Sequence, residues 1–188
     1  MSKQLAYVLR HRPDSIGVTL SPDGWVPIDT LLAALRAHGK GMTREQLDAV
    51  VADNDKQRFA IDGDRIRASQ GHSVPVELGL DPVTPPALLY HGTARRNLDS
   101  IMAKGVHRGS RHHVHLSGDT ATARAVGSRH GSPVILVVDA AAMAAAGHAF
   151  YRSANGVWLT DDIPAAYLRG EAPSPDSGGG GPGKTNRR

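Results

Sequence analysis

A proline-rich stretch near the middle of the chain constrains the fold more than any other feature of this sequence. Residues 78–87 read LGLDPVTPPA, with three prolines and one glycine. Proline has no backbone N–H and a fixed φ, so neither a helix interior nor a central strand continues through this stretch. We therefore predict a linker at 78–87 that separates a domain at 1–77 from a second domain at 88–170.

The composition excludes several classes of protein. From Gly170 onward the chain is rich in Gly, Pro and Ser without large apolar side chains, which predicts a disordered tail at 171–188. There is no apolar run of membrane-spanning length and no signal-peptide pattern, so we expect a cytoplasmic protein that does not contact membranes. The absence of cysteine excludes disulfides, thiolate metal sites and a cysteine nucleophile.

The basic residues are unevenly distributed. Residues 1–77 carry ten basic and ten acidic side chains, whereas residues 88–170 carry nine basic and five acidic ones, with seven of the ten histidines. An electropositive second half favours an anionic ligand. Arginine outnumbers lysine by 17 to 5, and the planar guanidinium matches the geometry of phosphate oxygens. Phosphate is therefore the anion that we expect.

The pattern at 1–77 predicts three short helices followed by a hairpin. The first helix ends before Pro13, Asp29 caps the second, and Thr43 with Gln46 forms a capping box at the start of the third. The apolar side chains predicted to be buried by the helices are Leu5, Val8, Leu9, Leu31, Leu32, Leu35, Leu47, Val50 and Val51.

The predicted hairpin turns at Asp62-Gly63-Asp64 and buries Phe59, Ile61 and Ile66. Three helices followed by a hairpin indicate a winged-helix-like lobe.

The second half predicts a mixed α+β lobe built on a modest sheet. In chain order, the predicted elements are a strand at 88–90 that runs into His91-Gly92-Thr93, a helix from Ala94 to Gly105, a strand at 114–117, a helix at 119–129, a central strand at 134–138, an alanine-rich helix ended by Gly147, and a hairpin of 150–152 and 157–159. Asn155-Gly156 is predicted to form a type I′ turn in this hairpin. The whole chain is thus assigned to the α+β class, and no GxGxxG or Walker motif is present.

Two groups of residues are candidates for ligand binding in the second half. His91-Gly92-Thr93 follows a strand, where Gly92 would let a ligand approach the backbone, or where Thr93 simply caps the next helix. The densest histidine group is His107, His112, His113 and His115, beside Arg111. No Asp, Glu or Cys stands at ligand spacing, so we expect this group to contact an anion and expect no metal.

The first half has two concentrations of hydrogen-bond donors. Arg10 and His11 end the first helix, where they also suit the helix dipole. The segment from Arg65 to Ser73 combines two arginines, a glutamine, a histidine and two serines, a composition that favours an anion. Trp25 and Trp158 are expected to anchor the cores.

Several segments together resemble a known family. They are Ser2-Lys3, Leu9-Arg10-His11, Gly24-Trp25-Val26, Asp55-Lys56-Gln57-Arg58-Phe59, Ile66 to Ser73, His91-Gly92-Thr93, His113 to Ser117, Val126 to Arg129, and Asn155 to Leu159. In this order and spacing they resemble the RNA 2′-phosphotransferase family, also called tRNA 2′-phosphotransferase, over about residues 2–168. Ser69 departs from the family, which commonly has Asn at that position.

The resemblance implies a fold and a reaction. The expected fold is an N-terminal winged-helix lobe and a C-terminal lobe of ADP-ribosyltransferase type. The expected reaction removes an internal 2′-phosphate from RNA with NAD as co-substrate, through an ADP-ribosylated 2′-phospho-RNA intermediate. Its products are nicotinamide and an ADP-ribose cyclic phosphate. The resemblance points to tRNA splicing or related RNA processing, and we expect a monomer without an obligate protein partner.

The family motifs also imply the site residues. The catalytic set falls on Arg10, His11, Arg67 and Arg129, where the three guanidinium groups would hold one phosphate and His11 would move a proton. The residues implied for NAD binding are His91, Gly92, Thr93, His115, Ser117 and Val157. Val157 stands where protein-modifying relatives have a catalytic Glu, and an anionic phosphate nucleophile needs no carboxylate to activate it.

Two other functions are compatible with the sequence. One is an ADP-ribosyltransferase that caps terminal phosphates of RNA or DNA, and the other is a non-catalytic winged-helix protein that binds nucleic acid. The second predicts a basic recognition helix at 43–53, but this segment has one arginine and three acidic residues.

Overall fold

The computed structural model describes residues 1–53 and 57–171, which form an α+β fold as predicted. The first half contains helices α1 (Ser2–Arg10), α2 (Ile28–Ala37) and α3 (Arg44–Ala52). Its strands are β1 (Val26–Pro27), β2 (Phe59–Asp62) and β3 (Arg65–Ala68), which form an antiparallel sheet in the order β1-β3-β2.

The helices of the first half follow from local sequence signals. Leu5, Val8 and Leu9 are buried on α1, as their spacing predicts. The predicted capping box at the start of α3 is confirmed, because Thr43 accepts from the backbone of Gln46 and Gln46 accepts from the backbone of Thr43. The prediction that Asp29 caps α2 is wrong.

The second helix begins two residues earlier than predicted because of a long-range pairing. β1 pairs with β3 immediately before α2, so Pro27 occupies the N-cap and the helix begins at Ile28. Asp29 lies in the first turn, where its carboxylate suits the positive end of the helix dipole.

The predicted hairpin of β2 and β3 is confirmed. Phe59 and Ile66 are buried, and Ile61 is partly buried against the same core. Because successive side chains of a strand point to opposite faces, a buried Ile66 puts Arg65 and Arg67 on the outer face of the sheet.

The second half contains two three-stranded antiparallel sheets and three α-helices. Its strands are β4 (Leu88–Ala94), β5 (Val114–Leu116), β6 (Pro133–Asp139), β7 (Phe150–Arg152), β8 (Trp158–Thr160) and β9 (Leu168–Gly170). The sheet orders are β4-β6-β9 and β5-β8-β7. The helices are α4 (Leu98–Lys104), α5 (Thr120–Gly127) and α6 (Ala140–Ala145).

A two-residue bridge joins the two sheets of the second half. Tyr90 and Ser117 exchange backbone hydrogen bonds of 2.9 and 2.8 Å. The bridge brings the end of β5 against β4. β5 also pairs with β8, and because Leu116 is opposite Trp158, residue 157 lies close to the bridge.

Two predictions in the second half are wrong. The segment at Ala94 is still part of β4, and α4 begins at Leu98 after a 3-10 turn. Arg152 pairs with Trp158, so the last hairpin has a five-residue connection instead of a two-residue type I′ turn. Of the central pair, only Gly156 has a positive φ, of 78°, whereas a type I′ turn needs a positive φ at both positions.

Each half has its own cluster of buried apolar side chains. The first cluster lies within residues 5–68 and the second within residues 89–168. Residues 78–87 form neither helix nor strand, and the domain boundaries stay a prediction. Trp158 packs against the second cluster, but Trp25 lies outside the first. In the part of the chain that the structure describes, no helix is long and apolar enough to cross a membrane.

Candidate functional site

The C-terminal end of α1 carries the first two candidate residues. Arg10 is the last residue of the helix, and burial, followed by the charges of Arg58 and Arg111, lowers its pKa to about 10. The His11 Nδ1 lies 2.9 Å from the Ser73 hydroxyl. Burial, then the charges of Arg10 and Arg111, lower the pKa of His11 below its usual 6.5. His11 is therefore neutral at pH 7.

Arg67 is held on the outer face of the first sheet. Its Nη1 donates to the Asp23 carbonyl at 3.1 Å, and its Cζ lies 4.6 Å from the centroid of the Trp25 ring. The expectation that Trp25 anchors the core is wrong, because this ring supports a guanidinium by a cation–π contact. Trp25 and Asp23 thus fix the position of the Arg67 side chain.

The segment after β3 connects the two halves of the molecule. His72 is 2% exposed, and burial, then Arg10 and other cationic neighbours, lower its pKa to about 4. Gly71 has a φ of +86°, and an added Cβ there would lie 3.6 Å from both Arg10 Nη1 and His115 Cε1. Gly71 therefore separates a cation of the first half from a histidine of the second.

Ser69, where the family commonly has Asn, is buried and donates to the Gln57 carbonyl at 2.8 Å. It also lines a cavity of about 320 Å³ with Phe59 of β2 and Asn155 of the β7–β8 connection. The serine therefore fits its surroundings, and both halves contribute to the cavity beside it.

Two histidines of adjacent strands have complementary hydrogen-bonding states. The His91 Nδ1 lies 3.2 Å from the His115 carbonyl, a contact that requires a proton on that nitrogen. Arg111 Nη1 lies 3.0 Å from the His115 Nδ1. Because a guanidinium only donates, the His115 Nδ1 must accept, and its proton lies on Nε2. Neutral His91 thus offers an acceptor at Nε2, and His115 offers a donor.

The state of His115 agrees with its surroundings. Burial, then the charges of Arg111 and Arg10, lower its pKa to about 3. The ring is therefore neutral at pH 7 and stays neutral well below the ordinary imidazole pKa of 6.5.

Gly92 is required by helix packing. An added Cβ would collide with the Ala123 carbonyl of α5 and would lie 3.0 Å from the Gly127 nitrogen. The space that the missing side chain leaves is therefore filled by α5. Thr93 is buried within β4, and its hydroxyl accepts from the Asn97 side chain at 3.2 Å. Thr93 does not cap a helix.

The remaining residues predicted for NAD binding lie at the junction of the two sheets. Ser117 forms the bridge to Tyr90, next to His91. The Val157 N–H donates to the Ser153 hydroxyl at 3.1 Å, and its half-buried side chain directly precedes β8. The pairing of β5 with β8 and its bridge to β4 thus bring His91, His115 and Val157 to one region.

Arg129 lies at the surface of the second half. It belongs to the 3-10 turn Ser128–His130 that follows α5, and its side chain is exposed. Gly127 packs against the backbone of Gly92 and Thr93, which places this turn beside β4.

Unpartnered buried atoms are concentrated at this site. Among residues 1–53 and 57–171, five buried side-chain polar atoms lack a hydrogen-bond partner. Four of them belong to Arg10, Arg67, Gln70 and His72. Because buried polar groups are normally satisfied, water or a polar ligand must supply the missing partners at this place.

The sequence analysis did not select Arg111, Gly71 or His72 as site residues. Arg111 and His72 lie in segments that are rich in hydrogen-bond donors. Their positions in the sequence do not indicate which residues of the other half they contact. The histidine group is also dispersed: His107 contacts Asp162 at 2.8 Å, and His113 packs on the Tyr151 ring. Within the described residues, no cluster of metal-ligating side chains forms.

Comparison with known proteins assigns the chain to a family. Residues 1–162 match the model of the RNA 2′-phosphotransferase, Tpt1 / KptA family. The chain belongs to this family.

Relatives from several bacteria support the assignment. A protein from Streptomyces coelicolor, described as a probable RNA 2′-phosphotransferase, is 57% identical over 92% of this chain and 95% of its own length. Proteins with the same description from Nostoc punctiforme and Agrobacterium fabrum are each 54% identical, over 90% and 92% of this chain respectively and 94% of their own lengths. The predicted resemblance to the RNA 2′-phosphotransferase family is confirmed.

Proposed function

We propose that this protein removes an internal 2′-phosphate from RNA and that NAD is the co-substrate that receives the phosphate. The main supporting observation is the meeting of two sets of residues at Gly71. Arg10 lies on one side and His115 on the other. His11 follows Arg10 directly, the charges of Arg10 and Arg67 both act on buried His72, and His91 contacts the His115 carbonyl. Membership of the family and the description of its relatives support RNA as the substrate.

The first half is suited to bind the phosphate. Arg10 and Arg67 each have a buried Nε without a partner among the described residues, and a phosphate oxygen would satisfy such a donor. Two fixed guanidinium groups would orient the phosphate and stabilise the charge that develops at phosphorus. In this proposal Arg129 supplies a third guanidinium from the second half when substrate is bound.

His11 is suited to move a proton. Its lowered pKa keeps the imidazole neutral at pH 7, so it is able to accept a proton from an attacking ribose hydroxyl. The contact with the Ser73 hydroxyl fixes the orientation of the ring. His11 therefore acts as a general base in the step that breaks the bond between the RNA and its 2′-phosphate.

The residues of the second half fit NAD. When bound, NAD supplies an ADP-ribosyl group and releases nicotinamide. The neutral His91 and His115 present an acceptor and a donor, which suit the hydroxyl groups of a ribose. Gly92, Thr93 and Ser117 would contribute to the same pocket. Val157 adds no charge there, so an anionic phosphate approaches without repulsion from a carboxylate.

The test uses the purified protein and a short RNA with one internal 2′-phosphate, incubated with and without NAD. We expect NAD-dependent loss of the phosphate and release of nicotinamide, measured by mass spectrometry. An RNA with a terminal phosphate, tested in parallel, detects the alternative transfer to phosphate ends. Unchanged 2′-phosphorylated RNA in the presence of folded protein and NAD would refute the proposal.

A winged-helix protein that only binds nucleic acid is less well supported. Its recognition helix would be α3, where Arg44 is bound to Asp48 at 3.0 Å. The single arginine of this helix is thus engaged with a carboxylate, which weakens binding to DNA phosphates. We also propose a cytoplasmic location, a monomeric state and a role in tRNA splicing or other RNA processing.

A further inference from the structure

We infer that Arg111 is a further phosphate-binding residue of this site, an inference that rests on the proposed function. Arg111 lies on the segment that leads into β5 and its side chain is exposed. Its Nη1 donates to the His115 Nδ1 at 3.0 Å, so the guanidinium is directed toward the histidine that faces Gly71. The charge of Arg111 therefore lies at the junction of the two halves.

The position of Arg111 relative to the first half supports this inference. Arg111 is one of the charges that act on Arg10 and on His11, which belong to α1. Arg129, the arginine that the family motif selects from the second half, lies instead in the exposed turn after α5. Arg111 is thus a cation of the second half that already lies close to the proposed phosphate-binding residues.

The charge of Arg111 is not compensated by a nearby acid. In the described segments 1–53 and 57–171, no carboxylate lies within ion-pair distance of Arg111 or Arg10. By contrast, Arg108 contacts Asp161 at 3.5 Å, and Arg124 contacts Glu171 at 2.9 Å. The partner of Arg111 is instead a neutral imidazole. The Arg10 guanidinium next to Gly71 and the Arg111 guanidinium bonded to the His115 ring are thus two uncompensated charges that favour binding of an anion.

The chemistry of the expected ligand is a phosphate group with at least one free oxygen. Within the proposed reaction, such a group comes from the RNA 2′-phosphate or from the pyrophosphate of NAD. Both present oxygens that a guanidinium binds by charge-assisted hydrogen bonds. The proposal concerns the phosphate contact, and the experiment distinguishes the two sources.

The test compares Arg111→Gln with Arg124→Gln. Glutamine has no charge but retains an N–H that is able to donate to His115. The variant therefore tests the effect of the charge on phosphate binding apart from the effect of the hydrogen bond to the ring. Arg124→Gln removes the same formal charge from an exposed arginine in the same half. Binding is measured without turnover, using 2′-phosphorylated RNA without NAD, the same RNA with a 2′-hydroxyl, and ADP-ribose.

We expect Arg111→Gln to weaken binding of one phosphate ligand about 10- to 100-fold, the usual effect of one charge-assisted hydrogen bond. Arg124→Gln should change binding by less than about twofold. An effect confined to the 2′-phosphorylated RNA assigns Arg111 to the RNA phosphate, and an effect confined to ADP-ribose assigns it to the pyrophosphate. Equal affinities of Arg111→Gln and wild type for both ligands would overturn the inference.

The outcome is separable from failure of the proposed function. If the wild-type protein does not distinguish 2′-phosphorylated from 2′-hydroxyl RNA, the proposed RNA substrate is wrong, and the ADP-ribose measurement still tests Arg111. Arg111→Lys provides a second variant, because it retains the charge but loses the planar pair of donors. We expect its affinity to lie between those of the wild type and Arg111→Gln, and an affinity below that of Arg111→Gln would contradict a role for the charge.

Discussion

Replacing Gly92 by alanine should destabilise the protein through a collision inside the second half. The new Cβ would overlap the Ala123 carbonyl oxygen, and it would lie 2.7 Å from the Ala123 carbonyl carbon and 3.0 Å from the Gly127 nitrogen. All three atoms belong to the backbone of α5, so no side-chain rotation relieves the overlap. Either α5 or β4 must move, although β4 is paired with β6 along its whole length.

The expected cost is about 3 kcal/mol or more, at the upper end of the range for overpacked sites. For a protein of this size, 1 kcal/mol shifts Tm by about 2–4 °C, so the loss should be roughly 6–12 °C. Thermal unfolding followed by circular dichroism measures this shift.

Gly118 provides the matched control. It belongs to the same half, has no positive φ, and an added Cβ there meets no atom within 4 Å. We expect Gly118→Ala to change stability by less than about 0.5 kcal/mol. If Gly92→Ala were as stable as Gly118→Ala, the packing argument would be refuted, and the glycine would then have to be explained by a ligand. If it unfolds as expected, lost NAD binding in this variant carries no information about the co-substrate.

Three further predictions concern activity, acid stability and helix capping. Arg67→Ala and Arg129→Ala should each nearly abolish removal of the 2′-phosphate while the circular dichroism spectrum is retained, and wild-type turnover by either folded variant would contradict its role in phosphate binding. The pKa of His72 is lowered from 6.5 to about 4, so the unfolded chain binds the proton more tightly and stability should fall as pH decreases from about 6.5 toward 4. Urea titrations at several pH values should show that the stability of His72→Gln depends less on pH than that of the wild type. An equal pH dependence in the two proteins would argue against a role for His72. Thr43→Ala should lose about 1 kcal/mol of unfolding free energy because it removes the cap of α3, and an unchanged urea midpoint would show that the cap contributes nothing.

Local signals were sufficient to predict much of the fold. The apolar spacing of Leu5, Val8 and Leu9 predicted α1, and the pair of Thr43 and Gln46 predicted the start of α3, because both patterns act within one or two helical turns. The apolar run around residues 134–138 likewise predicted β6, which is the central strand of its sheet.

The errors arose where distant residues determine the local structure. The start of α2 depends on the pairing of Val26 with Ile66, forty positions away. β4 continues through Ala94 because that residue pairs with Pro133. The Asn155-Gly156 dipeptide favours a two-residue turn. The first paired residues of β7 and β8 are Arg152 and Trp158, however, which leaves a longer connection between the strands.

The roles of the candidate site residues stay predictions. The family motifs selected Arg10, His11 and Arg67, and the end of α1 contacts the segment that follows β3. The bond from Arg111 to His115 and the contact of Arg67 with Trp25 were not predicted, because each depends on side-chain geometry that no sequence spacing specifies.

Gly71 lies between two chemically different surfaces, one with the Arg10 guanidinium and one with the His115 ring. Its missing side chain sets the distance between the Arg10 guanidinium and the His115 ring, and group transfer is sensitive to displacements of about 1 Å. A side chain larger than a methyl group would push the two surfaces apart and so displace the reactive groups that they carry. This position is therefore where the width of the cleft, and with it the size of acceptor that the protein accommodates, would be expected to change during evolution or engineering.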